Sequence, residues 1–459
     1  MRLIPIYTWN KGILNASMSG KRFSKQPWAQ GVLLLGCVLL AMLLANLPFT
    51  KEVYHDILGT TISRHFQSPS DAINISFPVG MTVESFISDV LMVIFFFTVG
   101  LEIRREISYG ELSTPKKAFL PIIAAFGGAL CPALIYTLIN HGTTAASGWG
   151  IPTATDIAFV VCILTVLGNR VPVSLKVFLT ALAIADDLIA ILVVAIFYGG
   201  NINLPLLLIA VAVILLTVLL RQIGEKRIFP YLLCAFVVWI LFYYSGIHAT
   251  MTGVVMAFLI PGKPRYNESQ FKHKWKKYEA RLFEYDNLED DNSFPNGPQR
   301  HFIRVLGTLG RGSMTMTDRL ESALSPWVNF VIMPIFALAN AGVELAWSDA
   351  SAGITSGIFF GLLLGKPLGI TLSSWLAIKL GAGEMPAKAS WPMFFAVACL
   401  GGIGFTMSIF VDTLSFGGFN PAATAAMRDA GKVVVLMGSV AAAILGSVLV
   451  CLLSKRNKK

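Results

Sequence analysis

The sequence predicts an all-α polytopic membrane protein, and three observations carry that reading. Hydrophobic residues make up 55% of the 459-residue chain and charged residues only 14%, whereas soluble domains carry about 25% charge. The mean hydropathy is +0.68. The apolar residues fall into runs near the length, about 20 residues, that a helix needs to cross a bilayer core, and the basic residues gather in alternate linkers between those runs.

Taken in order, twelve apolar spans are expected at about 28–49, 85–103, 116–140, 151–168, 173–198, 203–221, 229–244, 247–261, 327–345, 353–379, 391–416 and 432–453. Nothing before the first span reads as a cleavable signal, so that span is expected to stay as an anchor. Only Ser245 and Gly246 separate the seventh and eighth, and Tyr243 and Tyr244 mark the interfacial turn between them. Basic residues precede the first span (Lys11, Lys21, Arg22, Lys25) and follow the second (Arg104, Arg105, Lys116, Lys117), the fourth (Arg170, Lys176) and the sixth (Arg221, Lys226, Arg227). By the positive-inside rule these linkers are cytoplasmic. The tail, with Lys455, Arg456, Lys458 and Lys459, joins them, so both termini lie inside.

The chain therefore reads as one membrane domain in three parts: 1–261 with eight spans, a cytoplasmic insertion at 262–320, and 321–459 with four spans. The insertion holds 11 basic and eight acidic residues. That mixture argues against nucleic acid and for a linker with room for a short amphipathic helix, resting on anionic lipid or binding a regulator. The net charge of +10 is thus topological. The six cysteines lie in apolar runs without CxxC spacing, so neither a disulfide framework nor a zinc site is expected. No Walker-type nucleotide loop occurs, and no cofactor is expected.

Two adjacent carboxylates, Asp186 and Asp187, lie inside the fifth span, in ALAIADDLIA. A carboxylate at mid-bilayer costs about 2.5–3.5 kcal/mol on insertion scales, so two side by side demand partners. Successive helix positions diverge by about 100°, which prevents a like-charge dyad on one face. The pair must line a cavity or face two partners, and an oxygen-lined pocket at that depth suits a small hard cation or a proton. Asp156, in IPTATD, reads either as part of a capped interfacial helix start or as part of a broken helix. Gly401, Gly402 and Gly404, in CLGGIGFTMSIF, serve close packing or a second break. Lys366 lies mid-span before Pro367, too deep to snorkel, and needs an internal anion. Spans three to five and ten to twelve run in opposite senses and form candidate inverted-topology repeats, with four and eleven as interrupted middle members. If those two break and cross, half-helix ends of both polarities meet at mid-membrane, where Asp156 offsets the positive ends and Lys366 the negative ones.

TATDIAF at 153–159, ALAIADDLIA at 181–190, LLGKPLGI at 363–370 and GIGFTMSIF at 402–410 resemble the NhaA family of sodium/proton antiporters. FFTVGLEIRRE at 96–106, SGIHAT at 245–250, RLESALSPWV at 319–328 and FALANAGV at 336–343 extend the resemblance over nearly all spans. Inverted repeats are a property of that family as well. The resemblance implies a twelve-helix protein of the bacterial inner membrane, often a homodimer, that exports Na⁺ or Li⁺ in exchange for a larger number of protons. It implies that Asp186 and Asp187 carry cation and proton, that Thr155, Asp156 and Lys366 lie at the helix crossing, and that Glu102, Glu106, His248 and Glu321 belong to a pH-responsive funnel and rim. Two features depart from the family: the long insertion after span eight, and Ser322 and Ser325 where some members have histidine.

The expected mechanism is competition for one site: ionised Asp186 and Asp187 coordinate a partly dehydrated cation, and protonation abolishes that attraction. A symporter of a small solute is the nearest alternative. An intramembrane aspartyl protease fits poorly, since it needs two carboxylates facing one another across separate helices.

Overall fold

A computed structural model describes residues 27–61, 81–200, 202–225, 227–262, 264, 266–284, 297–343, 352–387, 389–416 and 421–456. Among these residues the regular structure is helical, with one isolated bridge between Thr61 and Thr82. The basic N-terminal segment, residues 62–80 between the first two spans and the middle of the insertion lie outside them.

Helix α1 (Pro27–Asn46) leads into a short α2 (Lys51–Gly59), whose Tyr54 hydroxyl donates to the Leu338 carbonyl at 2.6 Å. Helix α3 (Val83–Tyr109) is capped by the Thr82 side chain, which accepts from the Ser85 N–H at 3.1 Å. Helix α4 (Pro115–Ile139) opens on proline, whose missing N–H costs nothing at a helix start. Next come a 3₁₀ segment (Thr144–Thr153), α5 (Ile157–Leu167), α6 (Val173–Phe197), α7 (Leu204–Ile223), α8 (Ile228–Ser245) and α9 (Met251–Leu259). The insertion carries α10 (Glu268–Glu284) and α11 (Gly297–Ser313). Then follow α12 (Met316–Asn340), α13 (Gly353–Lys379), α14 (Trp391–Leu400), α15 (Phe405–Ser415) and α16 (Pro421–Arg456).

Nine of the described helices are long and apolar enough to cross a membrane, and eleven spans result if each of two bent pairs counts as one. The shortfall from twelve lies at the eighth expected span. Residues 247–261 are mostly apolar, but only the nine of α9 are helical, a length of roughly 14 Å at 1.5 Å per residue. Gly246, at φ +82°, closes α8 in the left-handed conformation that glycine adopts without strain, so α8 and α9 stay separate.

The two bent pairs are the 3₁₀ segment with the helix from Ile157, at 41°, and α14 with α15, at 53°. The described parts of the insertion are mostly helical. The Tyr266 N–H donates to the Gly312 carbonyl at 3.2 Å, and the rings of Tyr278 and Phe302 lie 6.4 Å apart, joining α10 to α11. The glycine-rich GTLGRGS is helical because Phe302, Val305, Leu306 and Leu309 recur at helical spacing, and Leu309 is buried.

Helices α4 and α13 approach closely through facing glycines. A Cβ on Gly127 would fall 2.7 Å from the Gly369 carbonyl oxygen, and one on Gly369 would meet the Gly127 carbonyl in turn. Small residues permit such contact, which replaces the missing hydrophobic drive between helices in lipid. Gly369→Ala should therefore cost about 1–3 kcal/mol, the range for overpacking, and lower the melting temperature in detergent. Gly36→Ala, where a Cβ meets nothing within 4 Å, should not. Equal melting of the two variants would contradict the close approach.

Candidate functional site

Both bent pairs lose helix over a few residues, Ala154–Asp156 and Gly401–Gly404, and these stretches lie against each other. The Asp156 N–H donates to the Ile403 carbonyl at 2.7 Å, and the Thr155 hydroxyl donates to the Gly401 carbonyl at 2.8 Å. Glycine is required at 402, where a Cβ would run into the Leu362 carbonyl. Phe405, just past the break, is a non-glycine residue at φ +27°, a strained conformation held by its N–H donating to Ser439 Oγ at 3.0 Å.

A single carboxylate caps both half-helices that start here. Asp156 Oδ1 accepts from the N–H groups of Ala158 and Phe159, at 3.0 and 3.3 Å, at the N-terminus of α5. Its Oδ2 accepts from the Thr406 N–H at 3.1 Å and from the Thr406 hydroxyl, at the N-terminus of α15. Helix N-termini carry unpaired N–H groups and partial positive charge, so one buried anion satisfies two ends.

The opposite charge comes from α13. Lys366 is fully buried, directly after a π-helical turn at Gly361–Gly365. Its ammonium donates to the Thr153 carbonyl, at the C-terminal end of the 3₁₀ segment, and to Asp186 Oδ2 at 2.6 Å. Asp186 and Asp187, mid-way along α6, are 1% and 2% exposed. They are not equivalent: Asp186 has one oxygen on Lys366 and Oδ1 unpartnered, while Asp187 Oδ1 is unpartnered and no ion pair joins Asp187 to a described residue. A buried ionised carboxylate is tolerated only when paired or hydrogen-bonded, and one oxygen of each of these two has no partner among the described residues. Among the described residues no group of three or more His, Cys, Asp and Glu side chains forms a metal centre.

Three of the four rim residues come together and one stands apart. Arg105 pairs with Glu321 of α12, with Glu106 at 3.2 Å and with Glu102 at 3.8 Å. Helix α9 runs beside α3, and its last carbonyls, Ala257 and Phe258, accept from Arg104 at 3.1 and 2.8 Å. His248 precedes the first residue of α9 and donates from Nε2 to the Tyr198 carbonyl. It is therefore a helix length away from Arg105.

Sequence reasoning missed Thr406 and Arg105. Thr406 carried a signal, a hydroxyl residue two positions after a glycine break, where caps occur. Arg105 carried none, because adjacent basic residues at a helix end read as topology.

Removing one partner of a buried pair costs about 3–5 kcal/mol because the other charge is left alone. Lys366→Ala should lower the melting temperature strongly, and adding Asp186→Asn should recover much of the loss. If the two effects simply add, the ion pair does not stabilise the fold.

The comparisons with known proteins agree with this architecture. A family model described as Na⁺/H⁺ antiporter 1 matches residues 21–450. A Na(+)/H(+) antiporter NhaA of Oleidesulfovibrio alaskensis is 43% identical over 399 residues, covering 86% of each chain. One of Wolinella succinogenes is 39% identical over 435 residues, covering 94% of this chain and 92% of the relative. One of Sulfurimonas denitrificans is 39% identical over 452 residues, covering 97% and 98%. These relatives are named as transporters, not enzymes. With a match that runs through every element of the site and almost the whole chain, the protein belongs to the Na⁺/H⁺ antiporter 1 family.

Proposed function

We propose that the protein is a secondary antiporter that exports Na⁺ or Li⁺ in exchange for protons, with both competing for Asp186 and Asp187. The observation that carries this reading is the buried aspartate pair, held to a lysine on one side only and with a free oxygen on each residue. A cation entering between the two carboxylates displaces the Lys366 ammonium from Asp186 and gains oxygen ligands in the same move. Protons delivered to the pair remove its negative charge and with it the attraction for metal. Cation and proton then exclude each other, and alternating access about the broken helices turns that exclusion into exchange without ATP.

On this reading the membrane domain has twelve crossing elements, α9 with its flanking turn serving as the eighth, and two inverted repeats at spans three to five and ten to twelve. The protein lies in the bacterial inner membrane with both termini and the insertion in the cytoplasm, as a homodimer. The resemblance to the family supports all of these, and the basic linkers support the orientation. Thr155, Asp156 and Lys366 keep the half-helix ends compensated while the halves move.

In proteoliposomes, Asp186→Asn and Asp187→Asn should each abolish Na⁺-elicited proton movement while the protein remains inserted. Near-normal exchange in either would end the shared-site reading.

The Arg105 cluster with Glu102, Glu106 and Glu321 supplies the cytoplasmic pH response, and His248 acts at the outer rim. Competition alone already lowers transport as pH falls, because protons fill the carboxylates, and saturating Na⁺ reverses it. Exchange measured against pH at limiting and saturating Na⁺ separates the two effects. Glu321→Gln and His248→Ala should shift a component that Na⁺ does not reverse. Profiles superimposable on wild type at every Na⁺ concentration would leave competition as the whole account.

A further inference from the structure

Half-helix α15 carries a second buried carboxylate that the site above does not use. Asp412 is fully buried, and neither of its oxygens has a hydrogen-bond partner. A Cβ placed on Gly431 of α16 would fall 2.9 Å from its Cγ and 3.3 Å from its Oδ2, so the carboxyl group rests on bare helix backbone. Two cations of α16 are close, yet both have Glu84 of α3 within ion-pair distance, at 3.7 Å for Arg428 and 3.8 Å for Lys432. Among the described residues, Asp429 on α16 and the phenols of Tyr136 and Tyr198 complete the titratable groups about Asp412. Neither phenol serves it, since Tyr136 donates to the Ala145 carbonyl and Tyr198 to the Ser147 carbonyl.

Buried polar groups are normally hydrogen-bonded, so an orphaned carboxylate calls for a metal ion or a proton. The cations Lys432 and Arg428 oppose a metal ion. A relay fits better. Ser408 lies four residues before Asp412, on the same helix face, and its hydroxyl is also buried without a partner. It packs at the break itself: a Cβ on Gly404 would meet Ser408 Cβ at 3.0 Å and the Ala154 carbonyl oxygen at 3.1 Å. At the other end of this face, Glu84 and Arg428 have side chains 28% and 31% exposed, which opens the seam to water.

We propose that Asp412 is a proton-carrying carboxylate distinct from Asp186 and Asp187, taking a proton from water at the Glu84 and Arg428 end and passing it along the Ser408 face of α15 to the helix break. In the first step an O–H bond of hydronium breaks as the Asp412 O–H bond forms, releasing water. In the second, Asp412 gives that proton to a water or hydroxyl beside Ser408, which releases one of its own toward the break. Only protons move, and nothing is oxidised or reduced. Lys432, between Glu84 and Asp412, balances whichever carboxylate is ionised. This deepens the exchange reading and rests on it.

The test has two arms. Difference infrared spectroscopy of reconstituted protein, titrated with pH, reads Asp412 independently of transport. A carboxyl protonation band should appear in wild type and in the Asp186→Asn/Asp187→Asn double variant, and vanish in Asp412→Asn. In liposomes, Asp412→Asn should lower exchange turnover on the order of ten-fold or more, as loss of a positioned proton carrier does, while radiolabelled Na⁺ binding persists. Asp412→Glu should restore turnover and displace the pH profile. The absence of an Asp412-dependent band, or wild-type exchange in Asp412→Asn at every pH, overturns the proposal. So does loss of Na⁺ binding that Asp412→Glu fails to rescue, which marks a structural role. If Asp412→Asn fails to accumulate, Ser408→Ala carries the test, because it keeps the band and should slow exchange; unchanged turnover overturns the relay. A wild type with the band but no Na⁺/H⁺ exchange refutes the exchange reading while confirming that Asp412 takes a proton.

Discussion

Helix ends inside a bilayer have no water to satisfy them, and that constraint governs the middle of this molecule. Two spans are interrupted, which exposes N–H groups and carbonyls where lipid would otherwise surround them. Asp156 takes N–H groups from the starts of both α5 and α15, and Lys366 takes the Thr153 carbonyl. Each of these side chains is itself a buried charge, so each helix break and its compensating residue stabilise the other. A helix could not be broken here without the charges, and the charges could not be buried here without the breaks.

The aspartate pair inherits its asymmetry from that arrangement. Lys366 donates to one helix end and to one carboxylate, and α6 turns Asp186 rather than Asp187 toward it. Asp187 is left without an ion-pair partner among the described residues. Helix α13, which carries Lys366, packs closely on α4, where Gly127 and Gly369 leave no room for a methyl group.

Charge elsewhere in the bundle is grouped by end. At one end, Arg105 gathers carboxylates from two helices, so a change in the protonation of any of them alters the balance for all. His248 sits beyond the far end of α9 and donates to the Tyr198 carbonyl. The seam between α15 and α16, with Ser439 at the break and Asp412 beside Lys432 farther out, links the strained Phe405 backbone to that same distant end. The half-helix α15 is buried from Phe405 to Asp412, unlike α7, which buries only Ala210 and Thr217.

The sequence alone determined the membrane class and the positions of most spans, and singled out Asp186, Asp187, Asp156 and Lys366, which the structure buries, because each follows from local composition: apolar length, basic linkers, and charges where charge is costly. It also showed two places where a helix could break, but left IPTATD as a capped interfacial start or a break and CLGGIGF as close packing or a break, since capping residues and glycines each serve both. Tertiary structure decided between them, because a break exists only where another segment supplies partners, as Asp156 and Thr155 do for 401–406. It likewise made the Gly-rich end of the insertion helical through packing on α10, shortened the eighth span to nine residues, and picked Arg105 out of a run of basic residues. Asp412 was present in the sequence as one more acid near a helix end. Its burial and its lack of a partner depend on Gly431 and Glu84, which are remote in the chain, and no local pattern encodes which remote residue will lie opposite.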